Sequence, residues 1–179
     1  MSDNSSLVVS GGKLWNSDVG TIFDTKSVIT ELLGQASNVD IHITAYLFSD
    51  HHEFTPEIIN LLKGCLDRFC RIWMIVDHLY KEYDDGGYQH PVDDLKKLNE
   101  HANFHLFNFD KEGDSAILHA KIIVVDRKEA FMGSANITNK AMQDNYEIGL
   151  QIRSGKHPGN LAKMVERIAY DKELCEEIS

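Results

Sequence analysis

An α/β fold, a mixed β-sheet flanked by helices on both faces, is what this chain of 179 residues predicts. Three patterns carry that expectation. Apolar runs of strand length alternate with stretches of helical periodicity through the first two thirds of the chain. Residues 72–76 form a nearly continuous apolar run, the mark of a strand covered on both faces. Residues 118–136 then read as two strands around a polar turn, which places an antiparallel hairpin in the same sheet and, by its position in the chain, near its centre.

The elements follow in order. Residues 1–12 are polar and glycine-containing, with only Leu7, Val8 and Val9 apolar, so a flexible N-terminus is expected ahead of a single domain over 13–179. That start shows neither a signal-peptide core nor a membrane span, and a cytoplasmic location is the expectation. A short strand at 19–23 leads to Asp24 as helix cap, with Val28, Ile29, Leu32 and Leu33 at helical spacing and Gly34 suited to the helix end. In 41–48, Ile41, Ile43, Ala45 and Leu47 alternate with His42, Thr44, Tyr46 and Phe48, a strand with one apolar and one mixed face and a structural His42. The sequence Asp50-His51-His52-Glu53 sits in a loop where neighbouring side chains diverge, so solvated residues are expected there and not a metal cluster.

Thr55-Pro56-Glu57 has the chemistry of a helix start, and Ile58, Ile59, Leu62, Cys65, Leu66 and Phe69 supply the buried stripe behind it. After the central strand at 72–76, residues 81–89 carry two glycines, two aspartates and two tyrosines, either a rim for substrate or a plain connector. Pro91, Val92, Leu95 and Leu98 mark a short helix and 103–109 a strand. From 160 onward, Leu161, Met164, Val165 and Ile168 mark a packing helix.

Hydrophobic residues make up 42% of the chain, enough for a core without disulfide staples. The three cysteines, Cys65, Cys70 and Cys175, are odd in number and lack a second ligand pair at zinc spacing, so buried thiols in a reducing compartment are expected. A net charge of -10 excludes a generally basic surface. Any nucleic-acid contact would be local, with Lys13, Lys121, Arg127, Lys128 and Lys140 as candidates for a positive ring and only a modest salt dependence.

The chemistry gathers in LHAKIIVVDRKEAFMGSAN, residues 118–136. His119 and Lys121 are two apart and project from one face at the leading end of a strand. Asp126 opens the turn, at odd separation from His119, and reads as a scaffold residue. Gly133 allows close backbone approach to a ligand, and Ser134 and Asn136 offer a hydroxyl and an amide on one face. Imidazole, ammonium, hydroxyl and amide together suit a phosphodiester, which needs a nucleophile, donors for its non-bridging oxygens and a proton for its leaving group. Neither metal nor cofactor is called for. Asn136-Ile137-Thr138 also spells a glycosylation acceptor, an accidental one without a secretory route.

The spacing His-x-Lys-x4-Asp-x6-Gly-Ser-x-Asn resembles the motif of the phospholipase D superfamily, and the small single-motif bacterial endonucleases within it. Asn145-x-Glu147 resembles the segment that follows the motif, and the segment 46–50 is similar to the family's first half. The resemblance implies His119 as nucleophile, Lys121 and Asn136 on the phosphate oxygens, Ser134 adding a hydrogen bond, and Glu147 steadying the imidazole. It implies too that one motif copy per chain is half a site, to be completed in a homodimer. A nuclease acting on DNA or RNA through a phosphohistidine is the expected function. A phosphatidyl hydrolase or transferase at a lipid membrane, or a non-catalytic binding module, are the alternatives.

Overall fold

A computed structural model describes residues 4–10, 23–48, 54–82, 88–110 and 116–178. Their strands form one mixed sheet of nine. Three parallel strands, β3 (Asp40–Ala45), β4 (Arg71–Asp77) and β5 (Phe104–Phe109), are joined by helices α2 (Phe54–Asp67) and α3 (Val92–Asn99), as parallel pairing requires. Beside β3 lies the hairpin of β6 (Lys121–Val125) and β7 (Glu129–Gly133), followed by β8 (Glu147–Ile152) and β1 (Ser5–Ser10), all antiparallel. Two short strands, β2 (Phe23–Asp24) and β9 (Cys175–Glu177), close the edges. The hairpin is central, as expected.

Helices cover both faces, unequally. Helix α1 (Thr25–Gln35), α2, α3 and the short α4 (Asn139–Gln143) share one core with Ile41, Ile43, Ile72, Met74, Ile123 and Phe131. Helix α5 (His157–Ala169) alone packs on the other face, where Val165 and Ala169 meet Trp73, Ile75 and Phe107. Every residue from Ile72 to Asp77 is buried, the both-faces covering that the apolar run foretold. Helix α1 starts where Asp24 accepts the Ser27 N–H at 2.8 Å, a cap worth about 1 kcal/mol. Thr138 caps α4 in the same way through the Ala141 N–H at 3.2 Å, which gives the threonine of the apparent glycosylation signal a structural task.

Several expectations need correction. Ser5–Ser10 is no flexible lead, because it pairs with β8 along its whole length. Gly34 lies inside the last turn of α1, and the chain leaves that helix at Ala36 in an extended conformation. The mixed face of β3 is no more open than the apolar one: His42 and Thr44 are as buried as the isoleucines, since α5 packs against the strand. Phe69 falls beyond α2 with φ 63° and is 74% exposed, so the turn rotates it out of the stripe that Ile58, Ile59, Leu62, Cys65 and Leu66 do form. On α5 the buried positions are Pro158, Ala162, Val165 and Ala169, and Met164 faces outward. Cys65 and Cys70 are buried free thiols, with burial pushing Cys65 up to about 12, whereas Cys175 is half-buried in β9. The expected strand at 19–22, Lys13, the 50–53 cluster and the tip of the 81–89 loop lie outside the described residues.

Candidate active site

The C-terminal ends of β3, β4 and β5 point the same way, and the N-terminal end of β6, the C-terminal end of β7 and the N-terminal end of β8 meet them there. Open parallel sheets hold ligands at that end of their strands. The motif is folded onto it.

His119 is exposed on segment 116–120, which is neither helix nor strand. Its imidazole meets the ring of Tyr46, the residue just past β3, edge to face with centroids 4.5 Å apart. Lys121, first residue of β6, is only 4% exposed, and its Nζ sits 4.9 Å from the centroid of the same tyrosine ring. That ammonium donates to the His119 carbonyl at 2.9 Å. Burial pulls the Lys121 pKa below its usual value of 10.5, and the nearby charges of Glu147 and Asp77 oppose the pull. His119 and Lys121 thus share one small volume, as their parity requires, with Tyr46 between them.

Across the hairpin Ser134 donates a hydrogen bond to Glu147 Oε2 and accepts one from the Ile148 N–H at 3.1 Å. Asn145 Nδ2 donates to Glu147 Oε1 at 3.3 Å. Both oxygens of the buried Glu147 are therefore engaged, by Ser134 and by Asn145. Asn136 keeps a buried Oδ1 with no partner, an orphan acceptor beside the site.

Gly133 is placed otherwise than expected, and Asp126 takes the scaffold place that its turn position suggested. Gly133 faces Gly149 across β7 and β8, and a Cβ on it would come within 2.9 Å of the Gly149 Cα and 3.1 Å of the Phe131 ring. Its bareness serves strand and aromatic packing, not backbone approach to a ligand. Asp126 opens the hairpin turn at the opposite end of β6, roughly 17 Å from Lys121 by strand rise. It adopts φ 51°, its N–H donates to the Asp40 carbonyl at 2.8 Å, and its carboxylate pairs with Lys128. It is a scaffold residue outside the site. Arg127 and Lys128 go with it, so neither joins a positive ring around His119.

The sequence reading left out Tyr46 and Asp77. A signal existed for both: each stands at the C-terminal end of a strand assigned to the parallel part of the sheet. Asp77 Oδ1 accepts the Leu118 N–H at 2.6 Å, one residue before His119.

With this geometry in place the comparisons become informative. The sequence matches the family described as "Cardiolipin synthase, PLD-like domain" over residues 29–169. The chain belongs to this phospholipase D-like family. It is 31% identical over 132 residues to the protein named DISARM protein DrmC of Bacillus paralicheniformis, covering 74% of this chain and 51% of that one. The chain thus spans about half the length of that relative. Among solved structures, the phospholipase D family member Nuc from Salmonella typhimurium superposes with a TM-score of 0.70 at 17% identity, over 97% of this chain and 98% of that one. Phosphatidylserine synthase from Haemophilus influenzae gives 0.69 at 16%, over 97% of this chain and 40% of that one. At such identities the structures confirm the phospholipase D fold and leave the substrate to be argued from the site. Among the described residues, no helix is long and apolar enough to cross a membrane.

Proposed function

We propose that this phospholipase D-like domain is a metal-independent phosphodiesterase, most consistent with a nuclease, working as a homodimer with the active site shared between two copies. The observation that carries the reading is His119 and Lys121 brought together over one Tyr46 ring, with Ser134, Asn136 and Glu147 at the same end of the sheet. An exposed imidazole next to a buried ammonium is a nucleophile beside an oxyanion site.

One chain supplies one such imidazole, and the reaction asks for two. In the proposed dimer His119 of one copy attacks phosphorus and forms the N–P bond while the P–O bond to the leaving group breaks. His119 of the other copy, as imidazolium, gives its proton to that oxygen and later takes one from the water that cleaves the phosphohistidine. Lys121 and Asn136 hold the non-bridging oxygens, and Glu147 fixes Ser134 and keeps a negative charge near Lys121. One imidazole must be free to attack and the other protonated to donate, so the rate should follow a bell in pH.

The second copy also has a surface to meet. Among the described residues nothing but helix α5 packs on that sheet face and it leaves the far half open, where Met132, Tyr146, Ile148 and Leu150 are exposed on β7, on β8 and just before it. Ile148 adjoins Glu147 and bonds Ser134 through its N–H, so the apolar strip is continuous with the site. Ile148→Asp should give a monomer in sedimentation and lose turnover. A strip that instead binds anionic liposomes in flotation, with no self-association, would favour the lipid reading.

The test of the reaction is cleavage of labelled single- and double-stranded DNA and RNA in EDTA by wild type and His119→Ala. Cleavage that survives the chelator and falls roughly 10^4-fold in the variant supports the nuclease. A folded dimer that cleaves no polymer points to lipid or small phosphodiesters.

A further inference from the structure

His119 stands on a segment with no ladder of its own, yet a nucleophile must be held to a fraction of an ångström. Its backbone is pinned residue by residue. The Ala120 carbonyl accepts the Thr44 hydroxyl at 2.9 Å, the His119 carbonyl accepts Lys121 Nζ at 2.9 Å, and the Leu118 N–H is taken by Asp77 Oδ1 at 2.6 Å.

Asp77 is the buried carboxylate of the three, at 3% exposure, and the most strongly tied down itself. Its Oδ2 bonds His78 Nδ1 at 2.8 Å, and its own carbonyl accepts the His90 Nε2–H at 2.9 Å. His90 in turn accepts the Phe48 N–H on Nδ1 at 3.3 Å. The segments after β3, after β4 and before β6 are therefore joined through one aspartate and one neutral histidine, and Tyr46 lies in the first of them.

We propose that Asp77 is a positioning residue of the phosphodiester site: it fixes the place of the His119 segment and sets a negative charge behind the Lys121 ammonium. The inference rests on the phosphodiesterase reading above. Lys121 is faced by Asp77 from β4, Glu147 from β8, the Tyr46 ring from the end of β3 and His119 from its own segment, so removing one of two carboxylates is a clean perturbation.

The experiment compares wild type, Asp77→Asn and Asp77→Ala by NMR titration of Lys121 Nζ and by hydrolysis of bis(p-nitrophenyl) phosphate. Asp77→Asn keeps an acceptor for Leu118 but loses the charge, so the Lys121 midpoint should drop and kcat should fall. Asp77→Ala should cost a further fall in kcat, about tenfold to a hundredfold in total, with KM little changed. A Lys121 midpoint and a kcat that both ignore Asp77→Asn in a folded protein would overturn the proposal. If the variants do not fold, wild type still decides. The Leu118 amide proton should resonate far downfield and follow a carboxyl titration, and an ordinary, pH-indifferent shift there overturns the clamp. Should wild type hydrolyse no phosphodiester, the functional reading fails alone, because the Lys121 and Leu118 titrations need no turnover.

Discussion

The two ends of the β6–β7 hairpin carry the same kinds of residues and treat them in opposite ways. At the turn end, charge answers charge: Lys128 pairs with Asp126, Arg127 with Glu166, and Arg71 with Asp40 at 2.6 Å, while the buried His42, its pKa lowered chiefly by burial, adds a hydrogen bond to Glu166 at 3.0 Å. Burial alone would raise the Glu166 carboxyl, but the hydrogen bonds from Arg127 and His42 outweigh it and hold it below the ordinary range. At the site end, Lys121 is buried with a carbonyl and a ring for company, Asn136 Oδ1 has no partner, and the His119 imidazole is open to solvent. At the turn end the charges are paired, although His42 Nδ1 is buried without a partner. At the site end a buried ammonium without a carboxylate partner and an open imidazole are held in place, and donor capacity of that kind is what stabilising a phosphodiester's developing charge requires.

The largest effect that would sharpen the contrast is on rate. Lys121→Met should lower kcat/KM by about 10^2- to 10^3-fold on a phosphodiester, because a donor to the developing charge is lost. Stability should stay within about 1 kcal/mol, since a buried cation without a salt bridge contributes little to the fold. A variant that unfolds instead would show that Lys121 is structural and erase the difference between the ends.

Next in size is a pH effect behind the site. Burial holds His90 down at about 4 against an ordinary 6.5, opposed by its bond to the Asp77 carbonyl, and both ring nitrogens are used in the neutral form. Below pH 6.5 the unfolded chain takes up a proton that the folded chain refuses. This contribution is therefore whole above 6.5 and lost as pH falls toward 4, roughly 3 kcal/mol in all. Urea melts at pH 7.5, 5.5 and 4 should show the decline in wild type and a shallower one in His90→Gln.

At the turn end, Arg127→Ala should remove about 1–2 kcal/mol of stability, leaving Glu166 and His42 without the cation that completes their group, with the rate per folded molecule unchanged. Denaturation and turnover measured on one preparation separate the two. A loss of rate would mean that the ends communicate.

The same contrast explains how far the sequence could be read. Period and spacing revealed the alternating strands and helices, the hairpin, Asp24 as a cap and the nearness of His119 to Lys121, because each depends on residues close in the chain. What escaped depends on partners far away. Ser5–Ser10 is a strand only because β8 offers an edge. Glu147 turns to Ser134 and Asn145 because β7 and β8 pair at Gly133 and Gly149. Asp77 enters the site through a segment 41 residues later. Phe69 shows the converse limit, where an apolar residue at helical spacing falls two residues beyond the helix and turns outward.

The smallest effect tests the motif itself. Asp126 stands among residues at the chemistry by sequence and apart from them in space, so the hairpin assigns it to folding. At φ 51° it sits in the left-handed region, where asparagine is at least as comfortable as aspartate. Asp126→Asn gives up an exposed pair with Lys128 worth a few tenths of a kcal/mol and keeps the N–H to Asp40. Turnover should stay within about twofold and stability within about 0.5 kcal/mol. Asp126→Val would instead strain that backbone by about 1–2 kcal/mol, again without touching the rate of the folded enzyme. A large loss of turnover in Asp126→Asn, with the fold intact, would mean that the far end of the hairpin takes part in the reaction and that its completed ion pairs are not merely scaffold.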